Sequence, residues 1–172
     1  MKTFFDIEFI ETKIGIIYIQ YSYNGIKKII LPSESIDELD INRNLHIKNN
    51  SSNKIPIKPL CKDLIEYLEG STKDFSMYPV DLSSVSDFAK ITLNSTRKIT
   101  YGQTKNYKWL AKTINSPLSY RAVGQVLSRN PCPIIIPCHR IISKNGNLSG
   151  FRGKEKNIKL KKYLLNLEST NL

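Results

Sequence analysis

No apolar run in this chain approaches the roughly 18 residues that crossing a bilayer requires, and the opening stretch MKTFFDIEFIET turns acidic before a signal-peptide core can develop. No membrane partner is expected, and a soluble, cytoplasmic protein is. Acidic residues are scarce, 15 Asp and Glu against 26 Lys and Arg, for a formal charge of +11. An excess of that sign suits a chain that meets phosphate. An AT-rich genome also raises Lys and Asn, so the charge alone leaves both readings open. Cysteine is scarce too: Cys61, Cys132 and Cys138 are an odd number with no C-x-x-C or Cys/His ligand spacing. Neither a disulfide framework nor a zinc site is supported.

What the chain does hold is enough for one good core or two small ones, with 40% hydrophobic content over 172 residues. TFFDIEFIETKIGIIYIQYSYNGIKKIIL alternates apolar and polar positions around Asn24-Gly25, a type I′ turn signal, and reads as a small antiparallel sheet. Residues 33 to 58 are rich in Asn, Ser and Lys and read as a polar connection, with His46 at its surface. PLCKDLIEYLEG sets Leu60, Cys61, Leu64, Ile65 and Leu68 on one helical face and stops at Gly70. Ser86 can cap a helix running to about Asn94.

KWLAKTI and SYRAVGQVLSRN then flank Asn115, Ser116 and Pro117. A helix-turn-helix whose second helix meets DNA and an ordinary helical hairpin both fit this pattern. Residues 131 to 142 are expected to be extended, followed by a glycine-bearing loop and a basic amphipathic helix. The fold class is therefore α/β (α+β): a small N-terminal antiparallel-sheet domain with a helix, residues 1–82, then a mainly helical C-terminal domain with a helix-turn-helix, residues 83–172.

PIIIPCHRII places Cys138 and His139 side by side behind an apolar run. A thiol is a useful nucleophile only as thiolate, so it needs a base, and the base needs an orienting group. Neighbours on an extended segment point to opposite sides, which suggests a water between thiol and imidazole. Glu168, in LLNLE, is a candidate orienter because Leu164 and Leu165 dock its helix inward.

IPCHRII, with SYRAVGQVLSRNPCP and ITYGQTKNYKWLAK before it and GFRG and LLNLE after it, resembles the O6-alkylguanine-DNA alkyltransferase family, the methylated-DNA:protein-cysteine methyltransferases. The likeness is specific over about residues 86 to 168 and looser in ETKIGIIYIQYSYNGI, which is similar to the family's first hairpin. It implies direct-reversal DNA repair without cofactor or metal, in which a monomer binds double-stranded DNA containing O6-alkylguanine. The alkyl group, from O6-alkylguanine and also from O4-alkylthymine, passes once to the protein's own cysteine.

By the same resemblance Cys138 matches the acceptor, His139 the water-linked base, Glu168 the acid that orients it, and Asn130 the brace of the active-site turn. Tyr107 matches the tyrosine serving the leaving guanine. Arg121 matches the finger that fills the gap in the duplex, with Ser119, Tyr120 and Ala122 beside it on the recognition helix. Leu127 and the loop of Ser149, Gly150, Phe151 and Arg152 match the wall of the base pocket. Phe151 stands where many members have Tyr, Arg152 adds a cation, and Tyr120 replaces a small residue or Pro. Two rivals remain: an alkyltransferase-like module that binds lesions without reacting, which would lack the acceptor cysteine, and a cysteine hydrolase, which explains neither RAVG nor the charge.

Overall fold

The computed structural model describes residues 5–32, 56–148 and 157–170. Most of the polar connection, His46, and the loop residues Ser149, Gly150, Phe151 and Arg152 lie outside the described residues. The alternating N-terminal stretch forms β1 (Asp6–Thr12), β2 (Gly15–Ser22) and β3 (Gly25–Ile30), an antiparallel sheet in the order β1-β2-β3. Alternation carries Ile17 and Ile19 of β2 to the core face. It then breaks, because the pairing register shifts between Gln20 and Tyr21 and buries Gln20 and Ser22.

The Asn24-Gly25 pair does not make the type I′ turn expected from the sequence. Tyr23 and Asn24 are the turn residues, Asn24 has no positive φ, and Gly25 opens β3 at φ 148°. That glycine is needed for a close approach instead. Ile26 N–H donates to the Pro79 carbonyl and Asp81 N–H to the Ile26 carbonyl, both at 2.9 Å, so a Cβ on residue 25 would sit 2.7 Å from Asp81 N and 2.9 Å from Pro79 O. Gly25→Ala is expected to cost about 1–3 kcal/mol in urea unfolding; an unchanged midpoint would mean the Pro79–Asp81 strap simply lifts away.

Helix α1 (Ile57–Leu68) packs on β1 and buries Leu60, Leu64, Tyr67 and Leu68. Cys61 is half-buried at the edge of that face. Gly70, at φ 112°, takes the left-handed position just past the helix, its N–H donating to the Tyr67 carbonyl at 3.0 Å. The Ser86 hydroxyl caps α2 (Asp87–Arg97) by accepting from Ala89 N–H at 3.4 Å, and the helix runs a turn beyond Asn94. Asn106 caps α3 (Tyr107–Thr113) through Trp109 N–H at 2.9 Å. A tight connection, with Asn115 at φ 55°, leads into α4 (Tyr120–Ser128). The chain closes with α5 (Ile158–Thr170).

The stretch 131 to 142 is not extended. Ile136 N–H returns to the Cys132 carbonyl at 2.8 Å, Cys138–Arg140 is a turn of 3-10 helix, and only Ile141–Ile142 is a strand, β5. It pairs in parallel with β4 (Lys105–Asn106), ahead of α3. Three prolines in this stretch explain the compaction: Pro131, Pro133 and Pro137 remove ladder donors and fix φ, so a continuous strand cannot form. The compacted segment also docks on the N-terminal sheet, with Ile29 N–H donating to the Pro131 carbonyl at 2.8 Å.

Candidate active site

Asn130 follows α4 and is wholly buried. Its Oδ1 accepts Cys132 N–H at 3.0 Å, and its Nδ2 donates to the Ile136 carbonyl at 2.8 Å and to Cys138 Sγ at 3.0 Å. One amide thus pins both ends of the turn and reaches the thiol. The turn needs pinning, since Ile134 sits at φ 74°, a strained region for a β-branched residue. Cys138 ends up 4% exposed at the start of the 3-10 turn, with His139 fully buried behind it.

Glu168 reaches this pair from α5. Lys161, Leu164 and Glu168 are the buried residues of that helix, at the i, i+3, i+7 spacing of one face. Two of the three are charged, and both meet site partners. Lys161 Nζ donates to the Ile141 carbonyl at 2.6 Å. Glu168 Oε1 lies 2.8 Å from His139 Nε2 and accepts the Tyr67 hydroxyl at 2.7 Å and Arg140 Nη2 at 2.8 Å. Its Oε2 accepts Arg140 Nε at 2.9 Å and Gly102 N–H at 3.1 Å. Arg140 Nη1 donates onward to the Ile99 carbonyl at 2.5 Å.

These contacts decide the protonation states. Burial opposes ionisation of Glu168, but hydrogen bonds from His139 and Arg140, together with the Arg140 charge, outweigh it and hold the carboxyl far below the usual range. Burial also pushes His139 below its ordinary value, the Glu168 hydrogen bond acting against this. A neutral imidazole beside a carboxylate must donate from Nε2, so Nδ1 carries the lone pair. Nδ1 is buried with no hydrogen-bond partner among the described residues. An imidazole so held can accept a proton at Nδ1, and its Nε2 face is stabilised when it becomes charged. Burial lowers Lys161 as well, Cys138 acting in the opposite sense.

The remaining residues singled out from the sequence lie on the helix pair. Tyr107 opens α3, its ring beside Gly124 of α4. Ser119 sits at the N-cap of α4, but its hydroxyl donates back to the Ser116 carbonyl at 2.6 Å rather than capping. Tyr120 and Arg121 are exposed on the first turn, Ala122 is half-buried, and Leu127 is buried toward the core. Both Lys108 and Arg121 stack on the Tyr120 ring, at 5.7 and 6.0 Å from its centroid.

So Asn130, Cys138, His139 and Glu168 meet in one cluster. Sequence reasoning missed Arg140, Lys161, Gly102 and Tyr67. Two of these had a local signal: Arg140 directly follows the pair, and Lys161 shares a helical face with Glu168. Tyr67, 72 positions from His139, had none.

A family model described as "6-O-methylguanine DNA methyltransferase, DNA binding domain" matches residues 87–170. The chain is 33% identical over 170 residues to a methylated-DNA–protein-cysteine methyltransferase of Methanosarcina barkeri, covering 98% of this chain and 99% of that one. It is 41% identical over 112 residues to the inducible enzyme of that name from Bacillus subtilis, covering 65% of this chain and 60% of that one. Among solved structures it resembles Mycobacterium tuberculosis OGT in complex with DNA, at 25% identity and a TM-score of 0.76, over 96% of this chain and 94% of that one. With a full-length relative at that identity and a family model across the helical half, the chain belongs to the methylated-DNA–protein-cysteine methyltransferase family.

Proposed function

We propose that this chain repairs alkylated double-stranded DNA by moving the alkyl group of O6-alkylguanine, and of O4-alkylthymine, onto Cys138, once per molecule. The observation that carries the reading is a buried thiol held by Asn130 beside an imidazole whose free nitrogen is the basic one. The thiol proton passes to His139 Nδ1 through one water, and Glu168 stabilises the resulting imidazolium. The thiolate attacks the alkyl carbon; the S–C bond forms as the C–O6 bond breaks, and its electron pair stays with the purine. Tyr107 donates a proton to the departing base, so guanine leaves neutral.

A base within the duplex cannot present its O6 substituent to a buried thiol, so the nucleotide must be extruded. The exposed first turn of α4 is suited to this: Arg121 fills the gap while Ser119, Tyr120 and Ala122 line the groove. Leu127, Ser149, Gly150, Phe151 and Arg152 are assigned to contacts with the flipped base, as the family resemblance implies. In this reading residues 1–82 and 83–172 are the two domains, the protein acts as an intracellular monomer, and phosphate contacts supply much of the affinity. A module that binds lesions without reacting would leave the braced Cys138 without a use.

The test is incubation with duplex carrying radiolabelled O6-methylguanine. One label per protein molecule is expected on the chain. No transfer, or many turnovers from substoichiometric protein, overturns the proposal. Within it, Arg121→Ala should slow repair of duplex by about 10-fold to 100-fold, since extrusion costs a few kcal/mol that the arginine helps offset. Reaction with free O6-benzylguanine should be almost unchanged. Equal loss on both substrates would place Arg121 in the pocket or the fold.

A further inference from the structure

We infer that Tyr67, a residue of α1 beside the N-terminal sheet, is a positioning residue for His139: its hydroxyl sets how strongly Glu168 draws on the imidazole. The inference rests on the function proposed above. The Tyr67 hydroxyl donates to Glu168 Oε1 at 2.7 Å and stands 3.3 Å from His139 Nε2, the nitrogen that shares that carboxylate oxygen. It is thus in contact with both members of the pair.

The tyrosine is held from several sides. It is wholly buried, and the rings of Phe75 and Tyr101 meet it edge-on, at 5.6 and 6.1 Å between centroids. The Tyr163 hydroxyl of α5 fastens the end of α1 by donating to the Leu68 carbonyl at 3.0 Å. Burial and the neighbouring Glu168 charge keep the phenol protonated, so it acts as a donor throughout the working range. A donor on Oε1 competes with Nε2–H for the same negative charge.

The groups that face His139 are Glu168 and Lys161 of α5, Cys138 and Arg140 of its own turn, and Tyr67 of α1. Among them Glu168 alone favours the imidazolium strongly, while Arg140 and Lys161 oppose it. Removing the Tyr67 donor leaves more of the carboxylate charge for His139. The imidazolium is then favoured, and at a given acidic pH less of the neutral base is present.

In full-length Tyr67→Phe the acid limb of Cys138 alkylation by O6-benzylguanine should therefore move up by about half a pH unit to one, the effect of one ordinary hydrogen bond. The rate on the alkaline plateau should change far less. Phe75→Leu serves as the packing control: it disturbs the same aromatic cluster, keeps the hydroxyl, and should lower the melting temperature without moving the limb. NMR titration of the His139 ring reports the same shift without any reaction; with only one other histidine in the chain, His46→Gln assigns it. An unmoved limb and an unmoved titration in Tyr67→Phe overturn the inference, as does an equal shift in Phe75→Leu. If wild type transfers nothing to Cys138, the proposed function fails, whereas transfer with an unmoved limb sinks the role of Tyr67 alone.

Discussion

Cys138→Ser is expected to lower alkyl transfer by about 10^4-fold or more while leaving DNA binding intact. An alcohol has almost no anion to offer at neutral pH, and the His139–Glu168 pair relieves only part of that deficit. The wild-type protein should show one alkyl adduct by mass spectrometry, on Cys138, with Cys61 and Cys132 unmodified. Cys61 supports this selectivity, since burial and the charge of Glu8 push its thiol up to about 11. Cys132 is wholly buried in the turn against β3, its Sγ 3.7 Å from the Ile26 carbonyl. Adducts on either, or transfer by the serine variant, would remove Cys138 from its place in the mechanism.

The same adduct should end the protein's working life. A thioether is neither a leaving group nor a base, so the alkyl group stays. It also sits where Asn130 Nδ2 donates to Sγ at 3.0 Å, in a site leaving the residue 4% exposed. Overpacking of that kind costs about 1–3 kcal/mol. A melting temperature lower by roughly 2 to 12 °C after alkylation is expected for a chain of this size.

The other large effect is predicted for Arg140→Ala, which should cost about 3–5 kcal/mol at neutral pH because it strips a buried carboxylate of its main cation. Glu168 is 1% exposed and takes Arg140 on both oxygens. The pH dependence gives the check on mechanism. In wild type the depressed Glu168 contributes stability that is present above its unfolded value, about 4.3, and lost as pH falls further. His139, also depressed, contributes stability present above its unfolded value of about 6.5 and lost as pH falls below it. Without Arg140, burial holds the folded carboxyl above its unfolded value, so the variant alone loses stability as pH rises above about 4.3. The deficit against wild type, measured by urea unfolding, should be largest at pH 7 and shrink toward pH 4. A deficit constant across that range would mean that Glu168 is not the charge Arg140 holds.

Much of the molecule was legible from local chemistry. Alternating Ile and Tyr residues announce β1 to β3, Ser86 announces α2, and Gly70 ends α1, because period, caps and left-handed glycines act over a few residues. The Cys138–His139 pair could be recognised as chemistry, and the Leu164–Glu168 spacing could put a carboxylate on the inner face of the last helix. Where the local signal had two uses, it misled. Gly25 looked like half of a turn and is instead the gap through which Pro79–Asp81 docks on β3. An apolar PIIIP looked like a strand and is folded into turns that Asn130 closes.

The sequence by itself determined which reactive groups exist and on which kind of element most of them lie. Only the tertiary structure decided which nitrogen of His139 is free, that Glu168 is ionised, and that a tyrosine from the N-terminal half belongs to the cluster. Those properties depend on burial and on donors 28, 72 and 101 positions apart in the chain. Desolvation and through-space hydrogen bonding act on distances that exist only once α1, the 3-10 turn and α5 have packed together.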